Sequence, residues 1–212
     1  MQQPMIVGKV ALVVVDIQQA GAMPADQVGI AHMEGIHGRV QRAEELLRAA
    51  REARIPIIFF QEVHRPSGVD FGRELDGAEG RHCIAGAPGT DLWPTLVPDP
   101  VADDREFHIV KRRYSGFIGT EFEIILRGLG VQTLVLIGGL TDVCVHYTFA
   151  DAHQHDYHVR VVEDCVGGSS LARHEAALDA MEYLQSGARR SSQEIVSALR
   201  SLAAPALVGA GA

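Results

Sequence analysis

The sequence of 212 residues lacks the features that mark several common protein classes. Its net charge is −8, and the longest basic runs are Lys111-Arg112-Arg113 and Arg189-Arg190, which argues against a nucleic-acid surface. No apolar run approaches the roughly 18 residues that a membrane-spanning helix needs, so no membrane partner is expected. No basic segment followed by an apolar stretch is visible at the N-terminus, so we expect a cytoplasmic protein without a signal peptide.

Paired cysteines and nucleotide-binding motifs are also missing. The three cysteines are an odd number without a Cys-x-x-Cys pair, which predicts reduced thiols. Neither Gly-x-Gly-x-x-Gly nor Gly-x-x-x-x-Gly-Lys-Ser/Thr occurs, and we expect no cofactor. With 47% hydrophobic and 22% charged residues, the composition is globular. It predicts a single domain over 1–212. The Ala/Gly-rich end, 203–212, is expected to be a frayed tail.

Short apolar runs alternate with segments of helical spacing along most of the chain. Strands are predicted at 10–15, 56–60, 106–110, 133–137 and 158–162. Helices are predicted at 40–53, 120–129, 145–153, 172–184 and 194–202. This alternation predicts an α/β fold, a three-layer α/β/α sandwich around a parallel sheet. The segment 61–105 is rich in Gly, Pro and Asp without a sustained period, which is typical of a functional loop or pocket wall.

Lysine is the rarest charged residue of the chain. Only Lys9 and Lys111 occur among 19 lysines and arginines, so arginine supplies most of the positive charges of this chain. Lys111 stands at the end of an apolar run, His108 to Val110. A lysine there indicates a need for a compact ammonium whose pKa can be tuned beside a reacting group, which arginine cannot supply.

An acid and a thiol occupy comparable positions. Asp16 ends the run 10–15, and Cys144 follows the run 133–137 by a glycine-containing turn. Because the carboxyl ends of parallel strands meet at one edge, Asp16, Lys111 and Cys144 are predicted to form a nucleophilic cysteine site. At a helix start, Cys144 would be favoured as a thiolate, and nearby N–H groups would bind an oxyanion. The alternative is an ordinary buried cysteine.

The other two cysteines are weaker candidates for a nucleophile. Cys83 lies in the long loop beside His82, but adjacent side chains point apart in an extended backbone. Cys165 follows a predicted strand with acidic neighbours, which would raise the pKa of its thiol. A redox role for Cys144 lacks a resolving cysteine nearby in sequence.

Five segments together resemble the isochorismatase-like cysteine hydrolases, which include nicotinamidases, N-carbamoylsarcosine amidase, biuret hydrolases and ureidoacrylate amidohydrolases. They are LVVVDIQ (12–18), VKRRYSGF (110–117), TEF (120–122), LIGGLTDVCV (136–145) and, more loosely, HCIAGAPG (82–89). The resemblance spans about 9–185. It implies a Rossmann-like six-stranded parallel sheet and a triad of Asp16, Lys111 and Cys144. It also implies a cis Gly139–Leu140 bond, with the Leu140 and Cys144 N–H groups as oxyanion hole.

The resemblance implies a hydrolase that cleaves a C–N bond of a small amide or ureide through a thioester and releases ammonia or an amine. One alternative is a catalytically silent binding or assembly protein. We also expect a homo-oligomer, either a dimer or a tetramer.

A metal-assisted, nicotinamidase-like amidase is the second alternative. Nicotinamidases carry a metal site, and the corresponding segment here holds Glu62, His64, Asp70 and His82. Two of the four ligand positions differ in type, so we expect no metal there.

The substrate-binding residues are predicted less sharply than the triad. Glu62 and Tyr114 are expected to contact the substrate, while Phe117 is equally compatible with the pocket wall and with ordinary packing. Four arginines are candidates for a substrate carboxylate, and the sequence does not choose among Arg65, Arg73, Arg112 and Arg113.

Overall fold

Six parallel strands form one sheet in the computed structural model, which describes residues 4–99 and 104–203. The strands are β1 (Lys9–Val15), β2 (Ile57–Glu62), β3 (Glu106–Lys111), β4 (Val131–Gly139), β5 (His158–Gly167) and β6 (Arg189–Arg190). Their order is β3-β2-β1-β4-β5-β6. β2 and β3 therefore extend the sheet on one side of β1, and β4, β5 and β6 extend it on the other side. Ligands of open parallel sheets bind where the order reverses in this way.

Helices cover both faces of the sheet. They are α1 (Ala25–Val28), α2 (Ile36–Glu52), α3 (Phe122–Leu129), α4 (His146–Gln154), α5 (Leu171–Leu184) and α6 (Ser192–Ala203). Single turns of 3-10 helix occur at Gln19–Ala22 and Glu74–Asp76, and one π-helical turn occurs at Thr141–Val145. None of the described helices is long and apolar enough to cross a membrane.

Each face of the sheet carries its own hydrophobic core. Alternate side chains of β1 point to opposite faces: Val13 packs in the core under α3, α4 and α5, whereas Leu12 packs in the core under α2 and α6. All the β1 residues after Lys9 are buried. This pattern explains the continuous apolar runs, since a strand covered on both faces has no polar side. The predicted three-layer α/β fold is confirmed.

The end of β2 differs from the sequence prediction at a functionally important place. β2 continues to Glu62, so the long loop begins after that residue rather than at Gln61. In the sheet register Glu62 lies opposite Lys111. The predicted tail is described only at Ala203, which ends α6, and 204–212 lie outside the described residues.

Candidate active site

Four neighbouring strands deliver four reactive side chains to one edge of the sheet. Asp16 follows β1, Glu62 ends β2, Lys111 ends β3, and Cys144 lies in the π-helical turn after β4. Lys111 is completely buried, and Glu62 and Cys144 are almost so. The three residues of the predicted triad are therefore brought together, with Glu62 as a fourth member.

The Lys111 ammonium lies at the centre of this group. Its Nζ is 2.8 Å from Asp16 Oδ2 and 2.7 Å from Glu62 Oε2, and it lies 3.3 Å from Cys144 Sγ. Burial opposes its charge, but the surrounding groups raise the pKa of Lys111 well above its usual value. One cation thus holds two carboxylates and the thiol together.

Glu62 was expected to contact substrate, but its oxygens are largely occupied by protein side chains. Oε2 contacts Lys111 and lies 3.3 Å from Cys144 Sγ, and Oε1 accepts a hydrogen bond from His82 Nε2 at 2.9 Å. Glu62 also lines the pocket beside Cys144, so its contact with substrate remains a prediction, and the structure adds an ion-pair role beside the thiol. Sequence reasoning missed this role because it ended β2 at Phe60, which concealed the pairing of Glu62 with Lys111.

The two carboxylates differ in basicity. Burial raises the pKa of Asp16 to about 6, against the lowering effect of Lys111, and the nearby charge of Glu62 raises it further. Burial also disfavours the charge of Glu62, yet Lys111, His64 and His82 together hold its pKa well below the usual range. Asp16 is thus the better proton acceptor near neutral pH.

A constrained turn presents Cys144. Gly138 has φ +116°, and a Cβ there would overlap the Val15 carbonyl oxygen, so only glycine fits. The Gly139–Leu140 peptide bond is cis. The turn is anchored further along by Asp142, whose carboxylate accepts hydrogen bonds from the backbone and hydroxyl of Ser169.

The environment of the Cys144 thiol corrects one expectation. The helix start was predicted to favour a resident thiolate, but burial, together with the negative charges of Glu62 and Asp16, raises the pKa of Cys144 well above its usual value even beside Lys111. The raised pKa favours the protonated thiol, so its proton must leave as Cys144 attacks.

The remaining cysteines are not comparable with Cys144. Burial raises the pKa of Cys83 well above its usual value, and its Sγ faces Gln18 Oε1 at 3.9 Å. Burial, with a contribution from Asp164, raises the pKa of Cys165 to about 12, in the direction predicted. Neither thiol has a lysine in contact.

Gln18 is a further residue that sequence reasoning passed over. Its buried side chain donates from Nε2 to the Glu62 carbonyl at 3.1 Å and accepts from the Glu62 N–H at 3.2 Å. A second Nε2 bond reaches the Thr90 carbonyl in the long loop. Gln18 therefore fixes the β2 end and the loop relative to β1.

The long loop contributes a buried group of two imidazoles and two carboxylates. Nitrogen and oxygen atoms of Glu62, His64, Glu74 and His82 lie within 4.8 Å of one another. Burial opposes charge on His64, but Glu62 and Glu74, 3.3 and 3.2 Å from its Nε2, raise its pKa to about 9. The donor set is suitable for a divalent cation.

Asp70 does not belong to this group, contrary to the set of four residues drawn from the sequence. Its carboxylate accepts from the Arg65 N–H, pairs with Arg112 Nε at 3.0 Å and approaches His64 on the Nδ1 side of the ring. Glu74 takes its place at Nε2. Glu74 has no local signature in the sequence, because the short turn at Glu74–Asp76 directs it inward.

A pocket opens beside Cys144. Tyr114 and Glu79 line it, and the Tyr114 hydroxyl donates to Glu79 Oε2 at 2.8 Å. Phe117 instead packs in the core against Phe122, with ring centroids 4.8 Å apart. The opposite wall is mainly apolar and comes from the segment before α2 and from α2 itself. It includes Ile30, Met33, Ile36 and Val40.

The four candidate arginines lie outside the pocket lining. Arg112 and Arg113 bind Asp70, through its carboxylate and its carbonyl respectively. Arg73 pairs with Asp76 at 2.6 Å, and the Arg65 side chain is also absent from the lining. The arginine that does line the pocket is Arg39 of α2, which carried no motif in the sequence.

The fold groups an acid, an amine and a thiol at the carboxyl edge of a parallel α/β sheet, and solved structures share this architecture. An isochorismatase family protein from Desulfovibrio vulgaris is 29% identical with a TM-score of 0.77, covering 90% of this chain and 98% of that one. N-carbamoylsarcosine amidase from Thermoplasma acidophilum is 27% identical with a TM-score of 0.70, covering 87% and 97%.

Sequence comparison identifies the family. The isochorismatase domain model matches residues 10–194. Ureidoacrylate amidohydrolase RutB from Azorhizobium caulinodans is 30% identical over 200 residues, covering 86% of this chain and 82% of the relative. The chain belongs to the isochorismatase family.

Proposed function

We propose that the protein is a cysteine hydrolase that cleaves a C–N bond of a small amide or ureido compound, with Cys144 as nucleophile. The observation that carries this proposal is the contact of Lys111 Nζ with both Asp16, at 2.8 Å, and Cys144 Sγ, at 3.3 Å, at the base of a pocket. The names of the relatives, an amidohydrolase and an amidase, support amides or ureides as the substrate class.

Asp16 is proposed to take the thiol proton as Cys144 attacks the carbonyl. Its pKa of about 6 suits a base at neutral pH, whereas Glu62 stays charged and balances Lys111. The new C–S bond leaves a negative oxygen, which the Leu140 and Cys144 N–H groups are proposed to bind.

The C–N bond then breaks, and Asp16 returns its proton to the departing ammonia or amine, leaving a thioester. Asp16 next accepts a proton from water, whose oxygen attacks the thioester carbonyl. Collapse releases the acid product, and the proton returns to the sulfur. Lys111 keeps its proton throughout and offsets the charge that develops near the sulfur.

A divalent cation, if bound, would be held by Glu62, His64, Glu74 and His82 and would supply Lewis-acid charge beside the pocket. The proposed steps use only Asp16, Lys111, Cys144 and the two N–H groups. Glu62 and Tyr114 remain our proposals for substrate contacts, because both line the pocket next to the thiol.

Ammonia release from a panel of nicotinamide, biuret, ureidoacrylate and N-carbamoyl amino acids tests the activity. On any accepted compound, Cys144→Ser should lower kcat by a factor of at least about 10³, since an alkoxide forms far less readily than a thiolate. Cys165→Ala removes another thiol of the pocket lining, one that has no contact with Lys111 among the described hydrogen bonds, and should retain kcat within a few-fold.

Near-native turnover by the Cys144→Ser variant would show that the covalent mechanism is wrong. A folded protein that releases neither ammonia nor amine from the whole panel would instead favour the silent binding protein.

A further inference from the structure

Helix α2 places one arginine in the wall of the pocket that contains Cys144. The Arg39 guanidinium lies over Gly167 at the end of β5, where an added Cβ would come within 2.7 Å of its Nε. Gly167 pairs across the sheet with Gly139, the residue before Leu140. The guanidinium therefore lies beside the strand end that carries the proposed oxyanion hole.

The charge of Arg39 is not balanced by a carboxylate. Among the described residues it forms no ion pair, and its acceptors are two backbone carbonyls: Nη1 donates to Glu34 at 2.7 Å and Nη2 to Met33 at 2.9 Å. A guanidinium has five N–H donors, so three remain without a protein acceptor. Burial and the neighbouring Arg42 lower the pKa of Arg39, so an anion beside it would be favoured.

Two other arginines beside β5 have carboxylate partners. Arg42, one turn further along α2, lies 3.4 Å from the Asp164 carboxylate and donates to its carbonyl. Arg189 contacts three carboxylates. Arg39 thus combines two properties that the neighbouring arginines lack, since it faces the pocket and keeps spare donors.

We propose that Arg39 binds a carboxylate of the substrate, so that the preferred substrates are small amides or ureides carrying an acid group a few bonds from the scissile carbonyl. The proposal rests on the proposed function, in which Cys144 attacks that carbonyl. A planar guanidinium and a carboxylate can form two parallel hydrogen bonds, which would fix the orientation of the substrate as well as add affinity. The apolar side chains of Met33 and Ile36 line the same pocket.

Alkylation of Cys144 tests the proposal without requiring turnover. N-iodoacetylglycine and N-iodoacetylglycinamide share the reactive group and differ only in the terminal carboxylate or amide. The alkylation rate of Cys144 by each reagent is followed by peptide mass spectrometry. The measured quantity is the ratio of the rate with the acid reagent to the rate with the neutral reagent. Arg39→Met should lower this ratio at least about tenfold, as expected for losing a charge-assisted hydrogen bond.

Arg48→Met is the control for charge, because Arg48 is exposed on the same helix; its ratio should stay within about twofold of the parent. Arg39→Lys keeps the charge without the planar fork and should give an intermediate ratio. If Arg39→Met fails to fold, as judged by thermal unfolding, Arg39→Lys carries the test. An unchanged ratio in the folded Arg39 variants, or an equal fall in Arg48→Met, would overturn the proposal.

Kinetics separate this proposal from the proposed function. On an acid-bearing ureide Arg39→Met should raise KM at least about tenfold, while kcat/KM for the matching neutral amide stays within a few-fold. If the protein releases no ammonia but the ratio of its alkylation rates still depends on Arg39, the anion site is supported and the proposed hydrolase activity is wrong. If the parent protein and Arg39→Met each hydrolyse the acid and the neutral substrate at equal rates, the protein is a hydrolase that lacks this anion site.

Discussion

Lys111 is buried among Asp16, Glu62 and Cys144, which leaves little room for a larger cation. Lys111→Arg keeps the charge, but a planar guanidinium cannot occupy a point between two carboxylates and a sulfur atom. We expect kcat to fall by a factor of about 10² to 10³, as for other losses of placed electrostatic stabilisation.

Lys9→Arg is the natural control, because Lys9 is exposed and donates only to the Leu129 carbonyl at 3.1 Å. Steady-state kinetics of the two variants on an accepted substrate make the comparison. If Lys111→Arg were as active as Lys9→Arg, Lys111 would be removed from the proposed catalytic set.

The pKa of Asp16 predicts an acid limit to activity. Its carboxylate must be deprotonated to accept the thiol proton, so kcat/KM should rise with pH through about 6 and flatten above it. Since the negative charge of Glu62 helps to raise this pKa, Glu62→Gln should move the limb to lower pH.

The pH profile should be measured with a substrate that does not itself titrate. An acid limb near the ordinary aspartate value of 3.8, unmoved by Glu62→Gln, would argue against Asp16 as the base. Stability should respond in the opposite sense, because a raised native pKa means that the native state holds its proton longer than the unfolded state. The Asp16 contribution to stability is therefore largest below its ordinary pKa and declines between that value and about 6.

At the residue scale, the sequence predicted side chains that follow apolar runs and missed those placed by tertiary contacts. Asp16, Lys111 and Cys144 were visible because each stands just beyond such a run. Glu74 and Arg39 were not, since a loop turn and a helix face direct them to the site, and neither has a local signature in one sequence.

At the scale of elements, the close approach of β1 and β4 depends on one glycine. Gly138→Ala would force a Cβ against the Val15 carbonyl at a φ of +116°. We expect a loss of roughly 3 kcal/mol in the free energy of unfolding and a displaced Asp16, which adjoins Val15. Urea unfolding and kcat measure the two effects.

Gly128→Ala in α3 is the matched control, because nothing lies within 4 Å of an added Cβ there. It should be neutral or stabilise the protein by up to about 1 kcal/mol, since alanine is the better helix former. Equal destabilisation by both substitutions would contradict the role given to Gly138.

The loop that follows β2 gives a prediction about metals. Glu62 Oε2 contacts Lys111 and Oε1 accepts from His82, so both oxygens already have protein partners without a metal. We therefore expect dialysis against EDTA to change kcat by less than about twofold. Elemental analysis before and after dialysis is the accompanying measurement. Activity that is lost and then restored by zinc or manganese would make these loop residues ligands.

Element types were predictable where the chain repeats a clear pattern, as in the buried strands β1 and β4 and in α2. β6 was not, because it consists of Arg189 and Arg190 alone and carries no apolar run. Tertiary packing, rather than local preference, makes these two residues pair with β5.

At the scale of the whole molecule, family membership and the α/β architecture agree with the sequence prediction. The single domain over 1–212, the homo-oligomer and the cytoplasmic location remain predictions. The first depends also on residues outside 4–99 and 104–203. The other two are not determined by the fold of one chain.

The sheet order has a consequence for how the active protein forms. Strands β1, β2 and β3 carry Asp16, Glu62 and Lys111 at their ends, and Cys144 follows β4. The thiol therefore meets the other three side chains only after β1 and β4 have paired. Its contact with Lys111 spans 33 residues and its contact with Glu62 spans 82. Contacts of such sequence separation are slow to form. During synthesis, we therefore expect Cys144 to reach Asp16 and Lys111 only after most of the chain has emerged.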